Sequence, residues 1–272
     1  MYSKRELQVL VISDVHLGTF GCHAKELLHY LKSVNPKTLI LNGDIIDMWN
    51  FSKNYFPASH MDVLRQIMKM ASCGSKVYYI TGNHDEMLRK YTDLQLGNLE
   101  IVDKLVLDID GKKTWIFHGD VFDSSIKGYA KILAKLGGKG YDLLILINRF
   151  INWLLQLFGQ EKMSLSKKVK DGVKKAVSFV SDFESTAAEL AIEKEYDYVI
   201  CGHIHMPQIK NVSNDKGTVT YMNSGDWIEN LTSLEYNNGC WQIFNYDQNY
   251  LDLIYQKDYF NQEDIVAKIL AS

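Results

Sequence analysis

The chain has 272 residues, a length that fits one large domain or two small ones. Hydrophobic residues make up 46% of it and the formal net charge is −3, so it can bury a substantial core but lacks an overall positive field for nucleic acid. The first apolar run ends at Asp14, too early for an export signal, and the four cysteines show no paired spacing. We therefore expect a cytoplasmic protein with reduced thiols and no nucleic-acid partner.

Short apolar runs alternate with helical stretches along most of the chain. Residues 23–34 and 59–72 have helical spacing. The apolar runs predict five strands that end in polar residues, at 7–14, 37–44, 76–83, 113–120 and 196–203. This alternation predicts an α/β fold with parallel strands. Near the C-terminus, the β-rich runs 217–226 and 238–246 predict a second sheet.

Residues 121–196 interrupt the alternation, although about a dozen residues could connect two parallel strands. Their helical patterns predict an insertion within a single domain that spans residues 1–272. The apolar stretch 143–158 contains Arg149 and is shorter than the roughly 20 residues that a membrane-spanning helix needs. It is either a core helix or a helix that binds acyl chains or a membrane surface. The lysine-rich residues 161–175 favour attraction to an anionic membrane.

Polar residues that can bind metal follow each of the five predicted strands. Ligands of open α/β sheets collect beyond the carboxyl ends of the strands, so these side chains are expected to meet in one crevice. Nitrogen and oxygen ligands without cysteine favour Mn²⁺, Fe²⁺ or Zn²⁺, and so many ligands suit two ions that share a carboxylate. A single histidine or Asp44 alone is more simply a core or turn residue. The candidates are Asp14, His16, Asp44, Asn83, His118, His203 and His205.

The order of the motifs resembles that of the calcineurin-like metallophosphoesterase superfamily. The motifs are DVH at 14–16, GDIID at 43–47, GNHD at 82–85, His118 and GHIH at 202–205. The resemblance implies a four-layer α-β-β-α sandwich with a helical insertion, and a metal-dependent phosphoesterase that uses two divalent ions, with Mn²⁺ expected first.

The resemblance also implies a role for each candidate residue. His84 is expected to act on the substrate rather than bind metal, with Asp47 as the residue that orients it. The two ions are expected to share Asp44 as the bridging ligand. The remaining ligands are Asp14, His16 and His205 for the first ion and Asn83, His118 and His203 for the second.

Further features are similar to those of the UDP-2,3-diacylglucosamine hydrolases of lipid A synthesis. They are SDVHLG at 13–18, Trp49, HGDVFD at 118–123, NSGDW at 223–227 and the insertion. The best-known branch of that family has Arg in place of His84 and Glu in place of Asp47.

This similarity implies that UDP-2,3-diacylglucosamine is cleaved to UMP and the lipid monophosphate, at the inner membrane of a Gram-negative bacterium. The expected substrate contacts are Trp49, Arg149 and Asn152. Two alternatives are a soluble phosphodiesterase that acts on nucleotides or other small diesters, and a non-catalytic scaffold that binds proteins.

Overall fold

The computed structural model describes residues 4–49, 55–122 and 167–247, with side chains from residue 180 onward in the last helix. Helices α1, α2 and α3 span Ala24–Ser33, Ala58–Ser72 and Lys167–Glu193. Strands β1 to β12 span, in order, Arg5–Ile12, Val34–Asn42, Lys76–Ile80, Gln95–Leu96, Leu99–Val102, Lys104–Ile109, Lys112–Phe117, Tyr198–Cys201, Gln208–Asn214, Gly217–Asn223, Thr232–Asn237 and Cys240–Asn245.

The strands form two mixed sheets. The first has seven strands in the order β12-β11-β1-β2-β3-β5-β4, and the second has five in the order β6-β7-β8-β10-β9. Strands β1, β2, β3 and β5 are parallel, with Leu10 opposite Leu39 and Leu39 opposite Val77. Strand β8 is parallel to β7 and β10. The carboxyl ends of β1, β2 and β3 therefore lie at one edge of the first sheet.

Three apolar clusters fill the spaces between four layers. Leu10 and Leu39 face α1 and α2, whereas their neighbours Val11 and Ile40 face the second sheet. On β8, Ile200 faces the first sheet, whereas the residues on either side of it pack against α3. Successive residues of a strand point to opposite faces, so each sheet is covered on both sides. The predicted α-β-β-α sandwich is thereby confirmed.

The second sheet exists as predicted, but its membership differs from the prediction. Strands β7 and β8, predicted as part of the same parallel series as β1 to β3, belong to the second sheet. Conversely, β12 lies in the first sheet, next to β11. Strand β11 is buried over nearly its whole length and pairs antiparallel with β1, whose other edge is taken by β2. Because β11 is buried, it lies inside the first sheet rather than at its edge. Its free side is paired with β12, which therefore forms the edge of that sheet.

Most of the predicted insertion falls outside the described residues. Helix α3 supplies its C-terminal part, while residues 123–166 are not described. The apolar stretch 143–158, with Arg149 and Asn152, lies within that range. The single domain over residues 1–272 stays a prediction. Among the helices of the described ranges, none is long and apolar enough to cross a membrane.

Candidate metal centre

The candidate ligands lie in loops whose backbones are held to one another. The loop after β1 bonds to the loop after β2, through Asp14 N to Gly43 O at 3.1 Å and His16 N to Asp44 O at 2.9 Å. Five candidates adopt the left-handed conformation, with φ between 52° and 68°: Asp14, His16, Asp44, His203 and His205. Residues with a Cβ seldom adopt it, and each instance costs about 1–3 kcal/mol. Strain shared by so many candidate ligands is typical of a functional site.

The structure brings the predicted ligands into overlapping groups. Asp14, His16 and His205 form one group, and Asp44, His118 and His203 form another, with ligand atoms in each group within 4.8 Å of one another. A third group of the same size contains His16, Asp44 and His84, the histidine that was predicted to bind no metal.

Asp44 lies between the first two groups. Its Oδ2 atom is 3.3 Å from His118 Nε2 and 3.9 Å from His16 Nε2. In the first group, His205 Nε2 lies 3.2 Å from Asp14 Oδ1. One carboxylate oxygen that faces a histidine from each group has the position that a bridging ligand requires.

Several buried ligand atoms have no hydrogen-bond partner among the described residues. They are His16 Nε2, Asn83 Oδ1 and His118 Nε2. Buried polar atoms normally have a partner, so three such atoms on three loops are what a cation-binding site would present. His118 Nδ1 donates to the carbonyl of Asn42 at 2.9 Å, which leaves Nε2 of the neutral ring free to bind a metal. The donor set therefore fits two divalent ions.

In the metal-free protein, protons on histidines balance the negative charge of the centre. Burial opposes the charged form of His118, but the Asp44 carboxylate outweighs it and raises the pKa of His118 to about 10. Burial likewise opposes the charge on Asp14, yet the neighbouring His205 lowers the pKa of Asp14 to about 2. Burial also opposes the charged form of His205, but the Asp14 carboxylate outweighs it and raises the pKa of His205 to about 9. Divalent cations can provide this compensation in place of protons.

His84 and Asp47 form a pair beside the ligand groups. His84 Nδ1 lies 3.0 Å from Asp47 Oδ2, and the same oxygen is 3.4 Å from His16 Nδ1. Burial disfavours the charged imidazole, but Asp47 and the charge of Asp44 outweigh it and raise the pKa of His84. The His84 side chain remains 22% exposed. It can therefore hold a proton and also reach a bound molecule. The exposed Trp49 ring lies beside it, with centroids 4.8 Å apart.

Two buried carboxylates near the centre are not among the predicted site residues. Asp85 accepts hydrogen bonds from Ile45 N at 2.9 Å, Gly82 N at 2.6 Å and the Tyr79 hydroxyl at 2.6 Å, so it ties the loops after β2 and β3 together. Asp226 accepts from backbone nitrogens of the turn that follows it, and its Oδ2 lies 3.9 Å from His205 Nδ1. Asp85 belongs to the GNHD motif and Asp226 to NSGDW. A sequence motif does not show which backbone atoms a carboxylate contacts.

Gly43 offers a direct test of how the second ligand group is positioned. Its φ is +81°, and a Cβ added there would lie 2.3 Å from His118 Nδ1. Gly43→Ala is therefore expected to displace His118 and reduce both metal content and hydrolysis, measured by elemental mass spectrometry and an aryl diester assay. Gly111→Ala is the matched control, because Gly111 has φ +78° with nothing within 4 Å of its added Cβ.

The control separates backbone strain from the clash with the ring. Each alanine is expected to lower the free energy of unfolding by roughly 1–2 kcal/mol through the left-handed backbone alone. Only Gly43→Ala is expected to lose metal. Equal metal content in the two variants would show that His118 does not depend on the space beside Gly43.

Comparison with known proteins agrees with the motifs and the fold. Residues 7–207 match the calcineurin-like phosphoesterase family. The chain belongs to this family, and with its histidine and aspartate ligand groups it is a metal-dependent phosphoesterase.

Among curated proteins, the chain is similar to UDP-2,3-diacylglucosamine hydrolases. It is 24% identical to the one from Aliivibrio fischeri, covering 87% of this chain and 98% of that protein. It is 25% identical to one from Vibrio cholerae, covering 85% and 95% respectively. Among solved structures, an archaeal phosphodiesterase matches with 16% identity and a TM-score of 0.41, over 87% of this chain and 98% of that one.

Proposed function

We propose that the chain hydrolyses the pyrophosphate of UDP-2,3-diacylglucosamine, or of a closely similar lipid-linked nucleotide, to UMP and a lipid monophosphate. The observation that carries the proposal is Asp44 Oδ2, which faces His16 and His118 from the two ligand groups. The substrate is suggested by full-length similarity to hydrolases of that name at 24–25% identity. The lipid half of this substrate favours a reaction at a membrane surface, for which we propose the cytoplasmic side.

In this proposal each of the first two ligand groups would hold one divalent ion. Asp44 would be a ligand common to both ions, and Asn83 would join the second group through its buried Oδ1 atom. When bound, the ions supply an activated water molecule and neutralise charge on the phosphate. The mixed nitrogen and oxygen donors suit Mn²⁺, Fe²⁺ or Zn²⁺, of which we propose Mn²⁺. The first group consists of Asp14, His16 and His205, and the second contains His118 and His203.

His84 provides the chemistry at the leaving group. Its Nδ1 atom faces Asp47 Oδ2 at 3.0 Å, so Nε2 is the atom that can donate a proton to the departing phosphate oxygen. The backbone nitrogen of His84 donates to Asp44 Oδ1 at 2.8 Å, which links the position of this acid to the bridging carboxylate. Asp47 therefore orients the imidazole and stabilises its protonated form.

The substrate proposal is tested by comparing two substrates that differ only in their acyl chains. Each methylene buried from water contributes about 0.8 kcal/mol, so five buried methylenes correspond to roughly a thousandfold in kcat/KM. Purified protein loaded with Mn²⁺ is expected to cleave the diacyl nucleotide and to lose most of its kcat/KM on the deacylated one. Removal of metal with a chelator is expected to abolish both reactions, and added Mn²⁺ to restore them.

A small diester is the alternative substrate, favoured by the 3.0 Å contact between His84 and Asp47. This pair takes the place of the Arg and Glu found in the best-known lipid hydrolases. If the metal-loaded protein leaves the diacyl nucleotide intact while it cleaves cyclic nucleotides rapidly, the lipid substrate is wrong and the small diester replaces it. Full activity after metal removal would contradict the metal-dependent mechanism for either substrate.

A further inference from the structure

Two loops beside the candidate metal centre expose aromatic side chains at equivalent positions. Phe20 is 73% exposed and Trp49 is 53% exposed. Leu17 forms a parallel bridge with Ile46, and Asp47 N donates to Leu17 O at 2.9 Å. Phe20 and Trp49 each stand three residues beyond this bridge. The two aromatic residues therefore extend from neighbouring loops at the same edge of the first sheet.

Phe20 is held in place despite its exposure. Its ring packs on Tyr55, with centroids 3.8 Å apart and an angle of 34° between the planes. The preceding loop is fixed to α2, because Gly18 N donates to Nδ1 of the buried His60 at 2.9 Å. Tyr55 also meets the edge of the His60 ring at 5.9 Å. An apolar side chain presented so rigidly to solvent is typical of a binding surface.

Both aromatic residues are connected to residues of the centre. The Thr19 hydroxyl donates to the carbonyl of His16 at 2.9 Å, so the loop turns tightly between this candidate ligand and Phe20. The Trp49 ring lies beside the His84 imidazole at 4.8 Å. A group attached to a phosphate at the centre can therefore extend over these rings without leaving the protein surface.

The exposed apolar residues on the other loops of the centre are mainly aliphatic. After β3 they include Met87, at 59%, with Tyr91 further along the chain at 49%, and after β8 they include Met206, at 49%. Methionine is flexible and unbranched, which suits contact with an aliphatic chain, whereas the planar rings of Phe20 and Trp49 suit another planar ring. The centre therefore has planar rings on the loops after β1 and β2, and flexible methionine side chains on the loops after β3 and β8.

We propose that Phe20, Tyr55 and Trp49 form a stacking site for the base of the nucleotide, a role that rests on the proposed function. The base lies toward the loops after β1 and β2, and the lipid half extends toward Met87 and Met206. Stacking on aromatic side chains is tolerant of base identity and strengthens binding by roughly 5–150-fold for each base. The site thus fixes which way the substrate lies across the metal centre.

The test compares two ligands that differ only in the base, UMP and ribose 5-phosphate. Their binding to Mn²⁺-loaded protein is measured by equilibrium dialysis. Phe20→Ala is expected to weaken UMP binding by about tenfold and to leave ribose 5-phosphate binding unchanged. Phe20→Trp, which keeps an aromatic face, is expected to retain UMP affinity. Met68→Ala is the control, since Met68 is a 50% exposed apolar residue on α2 and is expected to alter neither affinity.

The outcomes separate the stacking site from the proposed function. If Phe20→Ala weakened the binding of UMP and of ribose 5-phosphate equally, the stacking role would be overturned. Unchanged binding of both ligands would also overturn it. If Phe20→Ala instead slows only the diacyl substrate while UMP affinity stays at the wild-type value, an acyl chain occupies the rings and the proposal is wrong. If the wild type discriminates as expected but hydrolyses no diacyl nucleotide, the stacking site stands and the proposed substrate fails.

Discussion

Asp44→Asn is expected to lower phosphoester hydrolysis by several orders of magnitude, because the two proposed ions would lose the charge of the ligand that they are proposed to share. Asparagine keeps the shape of the side chain and can still accept the hydrogen bond from His84 N that reaches Asp44 Oδ1 at 2.8 Å. It replaces the oxygen between His16 and His118 with a neutral group. The measurements are kcat/KM with an aryl diester at saturating Mn²⁺ and metal content by elemental mass spectrometry.

Asp93→Asn provides the matched control. Asp93 is exposed and, like Asp44, has a left-handed backbone, with φ of 71° against 54°. The substitution therefore changes the same chemical group in a similar backbone conformation, away from the candidate ligands. It is expected to retain the activity and metal content of the wild type. If Asp44→Asn also retained both, the two ligand groups would not share this carboxylate, and a dinuclear centre would need another bridge.

Much of the centre could be predicted from the sequence because strand ends are easy to recognise. Asp14 and His118 each follow an apolar run at the point where it becomes polar, and parallel strands end at a common edge. The order of the motifs was specific enough to predict the family and the layered fold. Predicting the family did not require knowing to which of the two sheets each strand belongs. The predicted sheet was wrong for β7, β8 and β12.

Other features depend on contacts between residues far apart in the chain. The left-handed backbone of His16 and His203 could not be predicted from residue type, since most histidines do not adopt it and glycine is the residue normally expected there. Phe20 and Tyr55 are 35 positions apart in the chain. Their packing depends on how the loop after β1 meets the start of α2. The pairing of β1 with β2 brings Phe20 and Tyr55 together. The apolar pattern around either residue does not reveal this contact.

His84→Ala is expected to lower kcat by roughly 10²–10⁴-fold while the metal content stays near that of the wild type. The reason is that His84 Nδ1 lies 3.0 Å from Asp47 Oδ2 and the imidazole is partly exposed, as an acid that meets a substrate must be. His29→Ala is the control, because His29 lies on α1 and contacts the Tyr246 hydroxyl. It is expected to change neither quantity. Elemental mass spectrometry and single-turnover rates measure the two effects separately.

The leaving group distinguishes proton donation from simple charge stabilisation. A 4-nitrophenolate leaves without a proton, whereas an alkoxide needs one, so an acid should matter far more for an alkyl ester than for the aryl ester. In the metal-free protein, Asp47 and Asp44 raise the pKa of His84 against the effect of burial. Wild-type cleavage of the alkyl ester is expected to decline as the pH rises through the pKa of His84 in the metal-loaded protein. His84→Ala is expected to lack this decline.

The competing role for His84 is that of a ligand, because its ring shares a group with His16 and Asp44. A ligand and an acid make opposite demands on the imidazole, since metal binding requires the neutral ring and proton donation the charged one. Asp47 and Asp44 favour the charged form in the metal-free protein, which supports the acid. Loss of metal from His84→Ala, with equal rate losses for the aryl and alkyl esters, would assign His84 to the metal. Retained metal with a larger loss for the alkyl ester would assign it to the leaving group.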